Sequence, residues 1–212
     1  MMDAGLFAGV ALGLGLGARH AFEADHLAAV SVLVAEGRGA RGGMIVGALW
    51  GAGHTAALLA CGLGAALAAS AIPPRLSDAF ELLVAAMLVV LGGRALVAHA
   101  HGGPPAHIHV ARRPVAVRPL VVGAVHGLAG SGALTALVMA HLPTAHERVA
   151  FMALFGLGSI GGMSVVTGLS SWPLARLSRN ATASRMVFGG VGAASAIFGV
   201  MWAWLPALRF LH

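Results

Sequence analysis

Gly13-Leu14-Gly15-Leu16-Gly17-Ala18-Arg19-His20-Ala21-Phe22-Glu23-Ala24-Asp25-His26 is the stretch on which the fold turns. It sets five ionisable side chains inside an apolar run over residues 4–35. The rest of the chain says which solvent that run meets. Of 212 residues, 58% are hydrophobic and 9% charged, and mean hydropathy is +0.88. A water-soluble domain carries about 45–50% apolar and about 25% charged residues, so this polar complement is too small to coat a surface in water. The chain reads as all-α, a polytopic bundle of membrane helices. At roughly 20 residues per crossing, its length accommodates about six spans with short connections and leaves no room for a separate soluble catalytic or nucleotide-binding domain.

Apolar runs punctuated by Gly, Pro and Arg fall at 4–35, 43–70, 78–100, 117–142, 147–175 and 184–210. The first is too long for one straight crossing at about 1.5 Å per residue. It is expected to be tilted, broken or partly unwound near His20, after the Gly-x-Gly-x-Gly run. A net charge of +6 with a pI near 11.6 invites a nucleic-acid reading. All 13 basic residues are Arg, however, and they lie mostly between the apolar runs. That is a topology signal, and no nucleic-acid partner is expected. With six spans, Arg38, Arg41, Arg94, Arg112, Arg113, Arg118, Arg176, Arg179 and Arg185 gather on one side and Arg75, Arg148 and Arg209 on the other. The Arg-rich side is then cytoplasmic, and both termini lie outside the inner or plasma membrane. Met1-Met2-Asp3 has no basic n-region, so the first run is expected to persist as a span. Cys61 is the single cysteine, which excludes an internal disulfide and a thiolate metal cluster.

Parts of the sequence repeat. Ala48-Leu49-Trp50-Gly51-Ala52-Gly53-His54 matches Ala153-Leu154-Phe155-Gly156-Leu157-Gly158-Ser159 at an offset of 105, and Ala18-Arg19-His20 meets Ala124-Val125-His126 at 106. The third and sixth runs show no convincing match. Three helices per copy is an odd number, so two copies would enter the membrane in opposite directions, as a 3+3 inverted repeat. The expected division is 1–100, a His-rich cytoplasmic connection at 101–116, and 117–212, with a binding site between the two halves.

Ionisable groups at membrane depth cost roughly 2.5–3.5 kcal/mol each on insertion scales. His20, Glu23, Asp25 and His26 in the first run, His54 in the second and His126 in the fourth all stand at that depth. Imidazole with carboxylate suits borderline divalent transition metals; Cu(I) prefers sulfur, and Mg²⁺ or Ca²⁺ prefer oxygen cages. On one ideal helix His20, Glu23 and His26 share a face, at about 0°, 300° and 240°, while Asp25 falls at about 140°. Two readings follow: Asp25 orients a histidine from behind, or the helix departs from α geometry. The simpler alternatives are helix-to-helix hydrogen bonds for His54 and His126, and an Arg19–acid ion pair beside incidental histidines.

His20-x4-Asp25-His26 within Arg-His-Ala-Phe-Glu-Ala-Asp-His-Leu resembles the signature helix of the nickel/cobalt transporter family, and Gly53-His54-Thr55 resembles its next motif. The resemblance implies that His20, Asp25, His26 and His54 bind and pass Ni²⁺ or Co²⁺. Glu23 stands where members commonly have Asp. The run His126-Gly127-Leu128-Ala129-Gly130-Ser131-Gly132-Ala133-Leu134 is similar to the short, urease-accessory branch of that family and lacks the Phe-Asp-Thr-Ala motif of longer members. Gly162-Met163 is similar to the start of a Gly-Met-x-x-x-Asp motif whose acid is replaced by Thr167.

The expected function is therefore uptake of Ni²⁺ and/or Co²⁺ by a secondary transporter, with no enzymatic activity and no cofactor beyond the transported ion. The candidate metal ligands are His20, Glu23, Asp25, His26, His54 and His126. The partners are the divalent ion and the lipid bilayer. His99, His101, His107 and His109 in the connection suit a receiving or buffering role at the exit. Ligation needs neutral imidazole, so uptake is expected to fall as external pH drops below about 6.5; flat uptake between about pH 5 and pH 7.5 would contradict it. Rival readings are an exporter, a metal-binding membrane subunit of a larger complex, and, remotely, an intramembrane serine protease using Ser131, which needs a histidine within hydrogen-bond reach.

Overall fold

Each apolar run becomes helix, and the helix ends stand where the sequence offers caps. The computed structural model describes residues 4–34, 39–67, 72–101, 117–142, 144–177 and 180–211, with all their side chains except those of 4–8, 66–67, 130–140, 181 and 211. These residues form α1 (Ala4–His20), α2 (Ala24–Val34), α3 (Gly39–Leu67), α4 (Pro74–Ala100), α5 (Val117–His141), α6 (Ala145–Leu177) and α7 (Ala181–Leu211). Pro74 opens α4, where a missing N–H costs nothing. Thr144 and Glu147 close a reciprocal cap on α6: Glu147 N donates to Thr144 Oγ1 at 3.2 Å, and Thr144 N donates to Glu147 Oε2 at 3.1 Å. Asn180 Oδ1 accepts from Thr182 N at 2.9 Å and caps α7.

Four helices, over Gly39–Ala65, Pro74–Ala100, Ala145–Leu177 and Thr182–Phe210, are long and apolar enough to cross a membrane. The fold is thus an all-helical bundle among the described residues. The connection 102–116, which holds most of the expected His-rich segment, lies outside them.

The first apolar run is two helices rather than one span. Phe22 N donates to Arg19 O at 2.9 Å and Glu23 N to His20 O at 3.0 Å, tightening the end of α1; Leu27 N then donates to Glu23 O at 3.0 Å and starts α2. The break falls directly after His20, where it is expected, and the glycines before it have another use. Gly17 lies against the carbonyl of Phe155 and the amide of Ser159, and Gly13 against Leu154. A side chain at Gly17 would collide with α6.

The packing falls into matching pairs. α1 runs parallel to α6 and α5 parallel to α3, while α3 crosses α6 and α4 crosses α7 in opposite directions. Gly17 meets Phe155 and Ser159, and Gly123 meets Trp50 and His54; Gly158 meets the Leu14 carbonyl, and Gly53 the Leu120 carbonyl. Gly92 of α4 and Gly192 of α7 each abut the other's carbonyl, a correspondence between the third and sixth runs that the sequence did not disclose. Such close backbone approach is how helices associate where lipid removes the hydrophobic drive. Between α3 and α6 the contacts descend in order: Gly62 on Met152, Thr55 on Gly156, Gly51 on Ile160, Gly47 on Met163. At one end of the bundle Arg209 of α7 pairs with Asp78 of α4 at 2.9 Å. Outward surfaces of α4, α6 and α7 carry Val90, Leu169, Val200 and Trp204, all well exposed, as a lipid-facing surface requires.

Candidate metal centre

The break between α1 and α2 decides the site. His20 is the last residue of α1, and Asp25 and His26 open α2. The turn lets these side chains converge, which one continuous helix does not permit. α3 brings His54 and α5 brings His126 to the same place, held close by Gly123 and Gly127 against the backbone of residue 54. His26, His54 and His126 are fully buried.

Two groups of donor atoms result. One ring nitrogen from each of His20, His26 and His54 lies within 4.8 Å of the others, and the same holds for donor atoms of Asp25, His26 and His126. His26 belongs to both. Its ring centroid is 4.3 Å from that of His20, 5.2 Å from His54 and 4.3 Å from His126. Imidazole nitrogens at about 2.0–2.1 Å from one tetrahedral divalent ion stand about 3.4 Å apart. The first group therefore has to draw in by up to about 1.4 Å to surround an ion.

Hydrogen bonds fix which nitrogens are free. Asp25 Oδ1 lies 3.1 Å from His26 Nδ1, and Asp25 Oδ2 lies 2.8 Å from His126 Nε2. Glu23 Oε1 lies 2.9 Å from His20 Nδ1. An ionised carboxylate only accepts, so the hydrogen in each bond belongs to the imidazole. His20 and His26 then present Nε2 as a lone pair. Among the described residues, His20 Nε2, His26 Nε2, His126 Nδ1 and both ring nitrogens of His54 are buried without a hydrogen-bond partner. Buried polar atoms are ordinarily satisfied, and four neighbouring imidazoles with unsatisfied nitrogens match what an arriving cation requires.

The six residues singled out from sequence therefore separate. His20, His26 and His54 form one group, and Asp25 and His126 join His26 in the second. Glu23 touches His20 but is 58% exposed at its side chain, so it does not share the buried face that ideal-helix geometry gives it: the turn over residues 21–23 rotates it outward. The helix is broken after His20, and the Asp25 carboxylate bridges the imidazoles of His26 and His126. The Arg19–acid pair is not seen among the described residues; both carboxylates face histidines. The side chain of Ser131, the protease alternative, lies outside the described residues. Of the His-rich connection, His99 and His101 are described: His99 Nδ1 donates to the Arg185 carbonyl at 2.6 Å and His101 Nδ1 to the Val97 carbonyl at 2.8 Å.

Sequence reasoning missed the walls of the site. Phe155 lies 5.2 Å from His20, and Trp50 lies 5.5 Å from His26 and 5.8 Å from His126, centroid to centroid. The signal was present, since Trp50 and Phe155 occupy the same place in the two repeated stretches. Two buried hydroxyls also escaped notice: Thr55 Oγ1 donates to the Gly156 carbonyl at 3.0 Å and Ser159 Oγ to the Phe155 carbonyl at 2.9 Å, tying α3 to α6 and stiffening α6.

No protein-family model matches the chain, and no solved structure matches it. A curated relative does: the urease accessory protein UreH of Bacillus sp. (strain TB-90) is 32% identical over 200 residues, covering 89% of this chain and 87% of that protein. An alignment of that extent is far too long to arise from shared apolar composition alone. Together with its apolar helices, it makes this chain a multi-pass membrane protein belonging to the UreH-type, urease-accessory branch of the nickel/cobalt transporter family.

Proposed function

We propose that the chain is a carrier that takes up Ni²⁺ and/or Co²⁺ across the cell membrane through a site of three imidazoles, His20, His26 and His54. The observation that carries this reading is that His20, His26 and His54 each bring a ring nitrogen within 4.8 Å of the others and each hold a buried ring nitrogen without a partner. They are uncharged donors of the softness that Ni²⁺ and Co²⁺ prefer. Asp25 holds His26 in the tautomer that offers Nε2 and supplies negative charge beside the ion; Glu23 does the same for His20 from a more exposed position. His126 lines the far side, and the second group lets the ion move along the path with His26 as the common ligand. His99 and His101, whose Nδ1 atoms are engaged by carbonyls, keep Nε2 free to receive the ion at the cytoplasmic exit.

The architecture that fits is six spans in a 3+3 inverted repeat, residues 1–100 and 117–212, with α1 and α2 counting as one crossing and both termini outside. The matched glycine contacts support it: Gly17 on Phe155 and Ser159 repeats as Gly123 on Trp50 and His54. Inverted repeats place substrate sites at the interface between copies, and His54 and His126 come from opposite copies. The driving force is sufficient without a nucleotide. A divalent cation moving down 100 mV gains about 4.6 kcal/mol, or roughly three decades of accumulation.

Nickel flux into proteoliposomes tests the reading, with the intact chain beside His20→Ala, Asp25→Asn, His26→Ala and His54→Ala. The intact chain is expected to carry ⁶³Ni²⁺ and all four variants to carry markedly less. Undiminished flux in the four would end the site assignment, and no flux in the intact chain would end the carrier reading.

A further inference from the structure

Two apolar clusters enclose the histidines from opposite ends of the bundle. Toward the Ala145 end of α6, Leu58, Met152 and Phe155 are buried together. Toward the Gly39 end of α3, Val46, Trp50 and Met163 are buried in a larger cluster. The two sets correspond: Phe155 stands 105 positions after Trp50, and Met163 stands 105 after Leu58. Their levels follow from the crossing of α3 and α6. Trp50 lies just to the Gly39 side of the Gly51–Ile160 contact, and Phe155 just to the Ala145 side of the Thr55–Gly156 contact. Side chains on a helix lean toward its N-terminus, and α3 and α6 are antiparallel, so the two rings lean toward opposite ends of the bundle. Each touches the histidines from its own side, Phe155 at His20 and Trp50 at His26 and His126. Trp50 is 0% exposed and Phe155 6%, so each ring is packed into the bundle on its own side of the histidines.

An ion stripped of water crosses apolar side chains only at prohibitive cost. A site with a bulky ring packed on either side therefore has to move one ring at a time to pass the ion. We infer that Trp50 with Met163, and Phe155 with Leu58, are the two gates of this carrier, related by the repeat and opening in turn so that the same three imidazoles face first one side of the membrane and then the other. The inference rests on the carrier reading above. Neither ring offers the ion a ligand; each blocks a path by bulk. Trading one ring for a small side chain leaves the donors in place and removes one seal, so each loss has a side of the membrane attached to it.

The test uses the full chain in sealed membrane vesicles of both orientations, with ⁶³Ni²⁺ as the probe and nickel binding in detergent as the control. Trp50→Ala and Phe155→Ala are expected to bind nickel in detergent as the intact chain does. Each should admit ⁶³Ni²⁺ roughly ten-fold or more faster than the intact chain from one face, and the two faces should be opposite. Acceleration from the same face, or from neither while the intact chain transports, overturns the gates and leaves the carrier reading standing. An intact chain that moves no nickel removes the carrier reading and the gates with it. Where an alanine variant binds no nickel, Trp50→Leu and Phe155→Leu keep most of the packing and are read in the same way. Folded leucine variants that also fail to bind would show the rings to hold the centre rather than close it, and would overturn the inference.

Discussion

The approach of α1 to α6 and that of α5 to α3 are near copies in backbone and unlike in chemistry. Gly17 and Gly123 admit their neighbours by the same contacts, and Gly158 and Gly53 do so again in reverse. At matching positions, however, His54 on α3 corresponds to Ser159 on α6, and the residues that correspond in sequence to Asp25 and His26 are Ser131 and Gly132. Of the four converging imidazoles, His20, His26 and His54 come from the first half and only His126 from the second. The glycine contacts come in matched pairs while the donors do not.

Breaking the chemical half of that contrast should have the largest effect. His26 belongs to both donor groups, so His26→Ala is expected to lower nickel affinity by more than about a hundred-fold, beyond the range seen when a positioning partner is lost; equilibrium dialysis with ⁶³Ni²⁺ measures it. The pair at matching positions comes next. His54→Ala should weaken nickel binding by a similar order, whereas Ser159→Ala should leave binding unchanged and cost only the hydroxyl's hydrogen bonding to the Phe155 carbonyl of α6 and the Gly17 carbonyl of α1, about 0.5–1.5 kcal/mol, read as a lower thermal midpoint in detergent.

The carboxylates sharpen the comparison within the first half. Asp25→Asn is expected to cost about 10–100-fold in nickel affinity, because it disturbs two buried imidazoles at once. Glu23→Gln, at an exposed position with a single partner, should cost less than about ten-fold. Equal losses would mean that Glu23 reaches the ion itself. The smallest contrast lies in the scaffold: Gly17→Ala and Gly123→Ala each force a methyl group into a facing backbone and should destabilise the protein by a similar amount, about 1–3 kcal/mol. A large difference between them in thermal unfolding would show that the two approaches are not equivalent.

Much of this was legible in the sequence because membrane depth makes polarity conspicuous. Composition alone led to an all-helical bundle, and a His-Glu-Asp-His cluster in an apolar run has few uses other than holding a cation. The break near His20 was legible too, since four ionisable groups that cannot share one helical face demand a departure from it. So was its position near His20; what was not legible is the use of the glycines before it, because glycine has two meanings in a membrane helix. Gly13 and Gly17 admit α6, and the chain turns at Ala21, Phe22 and Glu23, where carbonyls of Arg19 and His20 accept the turn's amides. That turn carries Glu23 outward. The match between α4 and α7 was hidden because it consists of a backbone contact at Gly92 and Gly192, which constrains two small residues and leaves their neighbours free to differ. Trp50 and Phe155 were visible as a repeat but not as walls, since nothing in one dimension says which side chains turn inward.

The central claim concerns what replaces the water around the ion, and X-ray absorption at the nickel edge of the purified, nickel-loaded chain tests it most directly. The account predicts three imidazole nitrogens at about 2.0–2.1 Å, one fewer in each of His20→Ala, His26→Ala and His54→Ala, and three still in Asp25→Asn. A shell of oxygen alone, or an imidazole count that does not change when His20, His26 or His54 is removed, would contradict it.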